Sequence, residues 1–484
     1  MPQRHEIRVE GSDRVYHRVR ILVVLLLPLG MALMAVSAVN VTLPTIAEQL
    51  HAGTADLQWV LSGYALAFGV CLVPAGRAGD VLGRGPVFLA GLVVFLLGSL
   101  ACGVATTPML LNLARVAQGL GAGLFNPQIP GMIQEHFDGP GRAKAFAAFG
   151  MVISVAVAVG PLLAGGIIAW LGPGTGWRGA FLIYLPIGLV AMALAVAWLP
   201  LERSARLRPG SRIDLDPVGS VLLVAAVLAV MVPFVLRSWP AWLLLAAAPV
   251  LARAWLGWER RYAARGRDPM VDPALFATGS FAYGTVMSGF LLLGQTTTFV
   301  VLALYLQTHL NATALQTGLV GLPNALAAAV GSAWAGRHVI ARGRSVIVLG
   351  LVLLVAGTVA SIAVAHLIEA GVSFWWLAVP LLLNGFGMGA ANPPNQMLTL
   401  LDVPTHRAGS AAGAKYTVER IGTAIGTATI TGVYFAVAAG VGVLAGFDAG
   451  FAAIALATLA ALLVAVLDLR RRPDSGLRDR GAQR

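Results

Sequence analysis

Four charged side chains are the clear candidates for a place deep inside apolar segments: Arg115, Lys415, Glu419 and Arg420. A charge at mid-bilayer depth costs about 2.5–3.5 kcal/mol on insertion scales, so such residues usually have a task. Arg115 and Gln118 are spaced (i, i+3), and Lys415 and Glu419 (i, i+4), so each pair shares one helical face. The chemistry open to them is proton transfer and polar recognition. Glu419 would be the titrating group. Desolvation favours its neutral form, and Arg115 and Lys415 would favour the carboxylate. The bland alternative for Lys415 and Glu419 is a fixed salt bridge. The four charges sum to +2, a sign that repels lipophilic cations and favours a neutral or anionic guest. Asn40 and Asn384 join the candidate pathway. They belong to a wider set of intramembrane amides, with Gln128, Gln295, Gln307, Asn324, Asn392, Asn395 and Gln396, each able to bind a guest or to tie helices together.

These residues must be positioned by membrane helices. Hydrophobic residues are 58% of the chain, charged residues 11%, and the mean hydropathy is +0.81; a soluble globule has about 25% charged residues. Fourteen apolar stretches are long enough to span a bilayer: 20–42, 57–76, 86–106, 109–134, 144–170, 178–199, 217–236, 240–258, 279–306, 314–336, 344–367, 374–400, 407–435 and 444–467. The expected fold class is therefore an all-α polytopic membrane protein.

The chain also repeats itself. Ala75-Gly76-Arg77 and Gly83-Arg84 return as Ala335-Gly336-Arg337 and Gly343-Arg344, and Gly119 to Gly123 with Asn126-Pro127 returns as Gly385 to Gly389 with Asn392-Pro393. A duplicated helix set is the usual build of a secondary transporter. Eight helices between the copies leave about 32 residues each, a normal helix plus loop. Two extra helices therefore separate two pseudo-symmetric six-helix bundles. The expected organisation is an N-terminal segment 1–19, a bundle over 20–200, a linker 201–216, two extra helices over 217–258, a linker 259–278, a second bundle over 279–467 and a basic tail 468–484.

The net charge of +12 is not a nucleic-acid patch, because the 33 Lys and Arg sort by side. With the N-terminus inside, only Arg178 and Arg237 fall in outer loops, and Arg115, Lys415 and Arg420 fall within helices; the rest lie in cytoplasmic segments. This positive-inside bias sets both termini in the cytoplasm. Two lysines against 31 arginines fit a GC-rich bacterial gene and so an inner-membrane location. Cys71 and Cys102 both lie within helices and imply no disulfide framework. No metal or cofactor motif is present, and no acid/base pair points to an enzyme. His136, near Glu135 and Asp138 at a helix end, reads as solvated. The expected partners are a small-molecule substrate, protons and the bilayer, with one chain sufficient.

Gly76-Arg77-Ala78-Gly79-Asp80-Val81-Leu82-Gly83-Arg84 reads as a short Gly-rich cytoplasmic loop. Asp80 and Arg84 can pair with each other or with a neighbouring helix end. A pair that forms in one conformation and breaks in another would be a gate; a topology-fixing hairpin with solvated charges is the alternative. Gly160-Pro161 removes one backbone hydrogen bond and should bend its helix, and Ala164-Gly165-Gly166 would allow tight contact.

The loop resembles the motif between helices 2 and 3 of the major facilitator superfamily, and the resemblance spans about 20–467. Leu113 to Gly123, with Arg115, Gln118 and Gly119, looks like its helix-4 motif. Gly160-Pro161-Leu162-Leu163-Ala164-Gly165-Gly166 looks like its helix-5 antiporter motif. Asn40-Val41-Thr42-Leu43-Pro44, Trp177-Arg178 with Phe181 and Pro186-Ile187-Gly188, and Asp272-Pro273-Ala274-Leu275-Phe276 resemble the fourteen-helix drug:proton antiporter subfamily. The resemblance implies proton-coupled export of drugs or other small amphipathic molecules by alternating access. It also implies roles for Gly76, Asp80, Gly83 and Arg84 in gating, and for Gly160, Pro161 and Gly165 in sealing against proton leak. Ala35 stands where the subfamily usually has a helix-1 acid, Ile340 replaces the acid in the second copy of the loop, and Val81 and Gly85 stand where basic residues are usual. A facilitator or uptake carrier without proton antiport is the alternative that the missing acid supports.

Overall fold

The computed structural model describes residues 6–8, 15–201, 214–236 and 238–472. Arg4, Arg14, Arg203 to Arg212, Arg237 and the tail beyond Arg472 lie outside the described residues. A three-residue antiparallel ladder opens the described chain: β1 (Glu6–Arg8) pairs with β2 (Val15–His17), Ile7 opposite Tyr16. It is the one departure from the expected all-α class among the described residues.

The helices follow in order: α1 (Arg18–Leu50), α2 (Thr54–Leu82), α3 (Arg84–Gly103), α4 (Pro108–Phe125), α5 (Gln128–His136), α6 (Gly139–Leu171), α7 (Pro173–Leu182), α8 (Tyr184–Trp198) and α9 (Pro217–Leu236). Then come α10 (Trp239–Trp242), α11 (Leu244–Ala264), α12 (Gly279–Leu304), α13 (Ala314–Arg342), α14 (Ser345–Glu369), α15 (Ala378–Thr399), α16 (Ala408–Gly440) and α17 (Val443–Arg471). Among the described residues, thirteen stretches are long and apolar enough to cross a membrane. The fourteenth expected span, 109–134, is α4 plus α5, interrupted at Asn126-Pro127 because proline cannot donate to the helix ladder. At 1.5 Å per residue, 108–136 still reaches about 40 Å, enough to cross. The outward faces are aliphatic, as a lipid solvent requires: Leu97, Val221 and Leu456 are 61%, 67% and 67% exposed.

The chain folds as two compact units. The first comprises Met1–Phe137, Val155–Leu275 and Val403–Thr417, and the second Asp138–Ser154, Phe276–Asp402 and Val418–Arg484. Each unit thus takes the start of one long helix, α16 or α6, from the other half of the sequence.

Within each unit the repeat is visible as close helix contacts. A Cβ on Gly119 would lie 2.4 Å from the Tyr64 carbonyl oxygen, and one on Gly385 would lie 2.0 Å from that of Asn324. Gly123 faces Phe68 O at 2.9 Å and Gly389 faces Ala328 O at 2.0 Å. Tyr64 and Phe68 precede Asn324 and Ala328 by the same 260 residues that separate the glycine-rich turns. Small residues let backbones approach where apolar burial gives no drive between helices in lipid. Gly385→Ala must therefore push α13 from α15, costing about 1–3 kcal/mol as overpacking does. Gly165→Ala, with only Val41 at 3.8 Å, is expected to be neutral. Thermal unfolding of the two purified variants checks this, and equal melting temperatures would refute it.

Candidate functional site

The expected Gly-rich loop is mostly helix. α2 runs through Gly76 and Asp80 to Leu82, and only Gly83 makes the turn, at φ +100°. Its repeat partner Gly343 also has positive φ, +50°. A left-handed backbone costs an L side chain much more than glycine, so both turns keep it.

The charges at this turn are buried, not solvated. In the first unit, Asp80 Oδ1 accepts the Gly409 N–H at 3.0 Å and Oδ2 accepts the Ser410 N–H at 2.8 Å. These amides open α16, where helix N–H groups lack partners and the dipole favours an anion. Arg84 donates to Asp80 Oδ1 at 3.1 Å, to Glu135 Oε2 at 2.8 Å, to the Gly131 carbonyl at 2.7 Å and to the Thr405 carbonyl. The Asp80 side chain is fully buried and that of Arg84 nearly so, and Gly76 is pressed on Gly409, its Cβ position 2.2 Å from the carbonyl oxygen. Gln134 adds a bond to Val403 O at 2.9 Å. His136 lies beside this network and is buried, contrary to the solvated position expected of it.

In the second unit Ile340 supplies no acid. Arg344 instead binds Asp468 Oδ2 of α17 at 2.6 Å. Asp468 had no sequence signal beyond being an acid near a helix end.

Arg115 and Gln118 come together in the first unit. Arg115 is 1% exposed; its Nε donates to Val60 O at 2.9 Å and its Nη1 to Gln118 Oε1 at 2.6 Å. The guanidinium lies 4.4 Å from the Tyr64 ring centroid. Gln118 Nε2 continues to Ser99 Oγ at 2.8 Å. Among the described residues, none of Arg115's hydrogen-bond acceptors is a carboxylate. The second unit repeats the relay with neutral groups: Asn324 donates to Asn384 Oδ1 at 3.2 Å, and Asn384 donates to Thr358 Oγ1 at 3.2 Å. Gln118 and Asn384 are repeat partners at the 266-residue spacing. Both relays are closed to solvent in this conformation.

Asn40 is exposed and donates to Ser37 O at 3.3 Å. Lys415 is fully buried in the first unit beside the Tyr416 ring, 5.6 Å from its centroid. Glu419 is 8% exposed in the second unit, where Gln396 reaches it at 3.5 Å. α6 passes through Pro161 unbroken. Its tight contact is at Gly160, whose Cβ position is 2.2 Å from Ser37 Oγ of α1, whereas that of Gly165 has Val41 at 3.8 Å.

The sequence reading missed Arg77, which donates from one Nη2 to the carbonyls of Asp214 at 2.9 Å and Asp268 at 3.0 Å. It also missed Arg407, which pairs with Asp272. Glu259, expected in a polar linker, lies within α11 and is fully buried. Its neighbours Trp255, Trp258 and Tyr262 were the available sign that this helix continues.

Among the described residues, repeated membrane-length helices carry two buried polar relays, the build of a membrane transport protein. The sequence pattern of the Major Facilitator Superfamily matches residues 25–427, and the chain belongs to that family. It is 33% identical over 396 residues to a probable actinorhodin transporter of Streptomyces coelicolor, covering 80% of this chain and 68% of that one. It is 32% identical over 412 residues to the cephamycin export protein CmcT of Amycolatopsis lactamdurans, covering 80% and 79%. The fold is similar to that of the human organic anion transporter MFSD10, with a TM-score of 0.65 at 17% identity over 93% of this chain and 99% of that one.

Proposed function

We propose that this chain is a proton-coupled exporter of drug-like amphipathic molecules in a bacterial inner membrane, working by alternating access with both termini in the cytoplasm. One observation carries the reading: Asp80 is bonded to the first turn of α16 while paired with Arg84 in a buried site. A buried network of this kind holds one arrangement firmly and opens only as a whole. Charge-assisted bonds formed without water are strong, and losing one partner leaves an uncompensated charge. We assign it to one end state of the transport cycle, with Gly83 as the hinge that lets α2 and α3 move. Relatives named as antibiotic transporters support small amphipathic molecules as cargo. Arg115, lacking a carboxylate partner, supports neutral or anionic ones.

Glu419 is the proposed proton carrier, because it is a buried acid on α16 with a neutral amide at hydrogen-bond distance. The family-typical acid is absent at Ala35, which favours the second reading, a facilitator without antiport. Proteoliposomes with an imposed pH gradient separate the two. Adding a transported fluorescent anion should collapse the gradient with wild type and about tenfold more slowly with Glu419→Gln, tenfold corresponding to 1.4 kcal/mol in a barrier. Transport with no proton movement would support the facilitator. Unchanged coupling in Glu419→Gln would remove Glu419 from the mechanism.

A further inference from the structure

The two helices inserted between the repeats contain a buried pair of acids that the transport reading does not use. Asp216, immediately before α9, and Glu259, in α11, are both 0% exposed. They meet over Gly219: its Cβ position lies 2.1 Å from Asp216 Oδ2 and 3.0 Å from Glu259 Oε1. Among the described residues, only N–H groups serve these carboxyls. Asp216 Oδ1 accepts from Gly219 N at 3.0 Å and Trp258 Nε1 at 2.8 Å. Glu259 Oε1 accepts from Trp255 Nε1 at 2.8 Å, and Oε2 from Met270 N at 3.0 Å. Asp216 Oδ2 is buried and has no donor among the described residues.

Two ionised carboxylates cannot share such a site cheaply. Like charges at close range drive one of them to hold a proton, and a buried charge needs a partner. The groups around them do not supply one. Tyr262 of α11 donates to the Asp214 carboxylate, Arg267 stacks over the Tyr262 ring at 5.4 Å, and Arg77 of α2 spends its Nη2 on the carbonyls of Asp214 and Asp268. One proton held by the pair leaves a single charge in the site and resolves the deficit.

We propose that Asp216 and Glu259 form a proton-binding site, one proton taken from solvent and shared between the two carboxyls. The proton locks the entry to α9, the body of α11 and the Met270 segment into one piece. Arg77 grips the backbone on both sides of that piece, at Asp214 and Asp268, one residue after Gly76, where α2 packs on α16. The inserted helices are thereby a protonation-dependent brace for the gate end of α2, and not only extra mass in the membrane.

Infrared difference spectroscopy on the full-length protein tests this directly. At neutral pH the wild type should show the C=O stretch of a protonated, hydrogen-bonded carboxyl. The band should shift in deuterium oxide and disappear on alkaline titration. Asp216→Asn and Glu259→Gln each place an amide N–H where the proton sat, so each should fold, leave the other acid ionised and lose that band. Trp255→Phe, which removes one donor to the ionised form, should keep the band and move its disappearance about one pH unit higher, since a hydrogen bond to a charged group is worth about 1.5–3 kcal/mol and a pH unit 1.36. Should the two acid variants fail to fold, the wild-type band and its shift in Trp255→Phe decide alone. A wild type with no such band at neutral pH, a band that survives in both acid variants, or a titration unmoved by Trp255→Phe would overturn the proposal.

Discussion

Arg115→Ala is expected to abolish transport, lowering the initial efflux rate at least ~100-fold, about 2.7 kcal/mol in the barrier. The guanidinium is the hub of the first unit's relay. Without it, Gln118 Oε1 loses its donor in a buried site, an orphaned acceptor costing about 1–3 kcal/mol, and Val60 O keeps only its bond in the α2 ladder. Gln118 also loses the contact that sets its amide for Ser99. Arg115→Lys restores charge but not the planar fork, so roughly a tenfold loss should remain, one decade being 1.36 kcal/mol. Efflux from proteoliposomes under a fixed pH gradient reads both values. A near-normal rate for Arg115→Ala would reduce the residue to packing.

Asp80→Asn carries the second-largest expected effect. The amide keeps the shape but removes the charge that answers Arg84 and the first turn of α16. Breaking a buried pair costs about 3–5 kcal/mol, so the state it holds should lose most of its population and transport should fall at least ~10-fold. Arg84→Ala should act on the same network. The double variant should therefore be little worse than either single one, because residues of one network do not add. Independent, additive losses would show that Asp80 and Arg84 do separate things.

Much of this was legible in the sequence because the bilayer constrains so strongly. Apolar length gave the spans, and the boundaries of α9 match their apolar stretch residue for residue. The two offsets, 260 and 266, anticipated which glycines would be repeat partners in space. Three things were not legible. Hydropathy cannot tell a polar helix end from a loop, so Gly76 to Leu82 and Glu259 to Ala264 read as linkers although both are helical. It cannot say which acid finds which helix start, so the contact from Asp80 to Gly409 and Ser410, more than 300 residues away, left no local trace. Nor can it report solvent access: Arg115, Gln118 and Lys415 read as lining a cavity, and they are closed off in this conformation. Arg77 was the least visible of all, since it binds carbonyl oxygens, which no residue type reveals.

The central claim is that the α2–α16 contact made by Asp80 opens and closes during transport. Ala78 of α2 and the exposed His406 just before α16 are suited to spin labels once Cys71 and Cys102 are replaced by alanine. Pulsed electron resonance between labels at Ala78→Cys and His406→Cys, in membranes at acid and neutral pH with and without cargo, reads that distance directly. Two populations are expected, their ratio moving with pH and cargo, with loss of the shorter one in Asp80→Asn. A single distance, the same under every condition and in the variant, would contradict it.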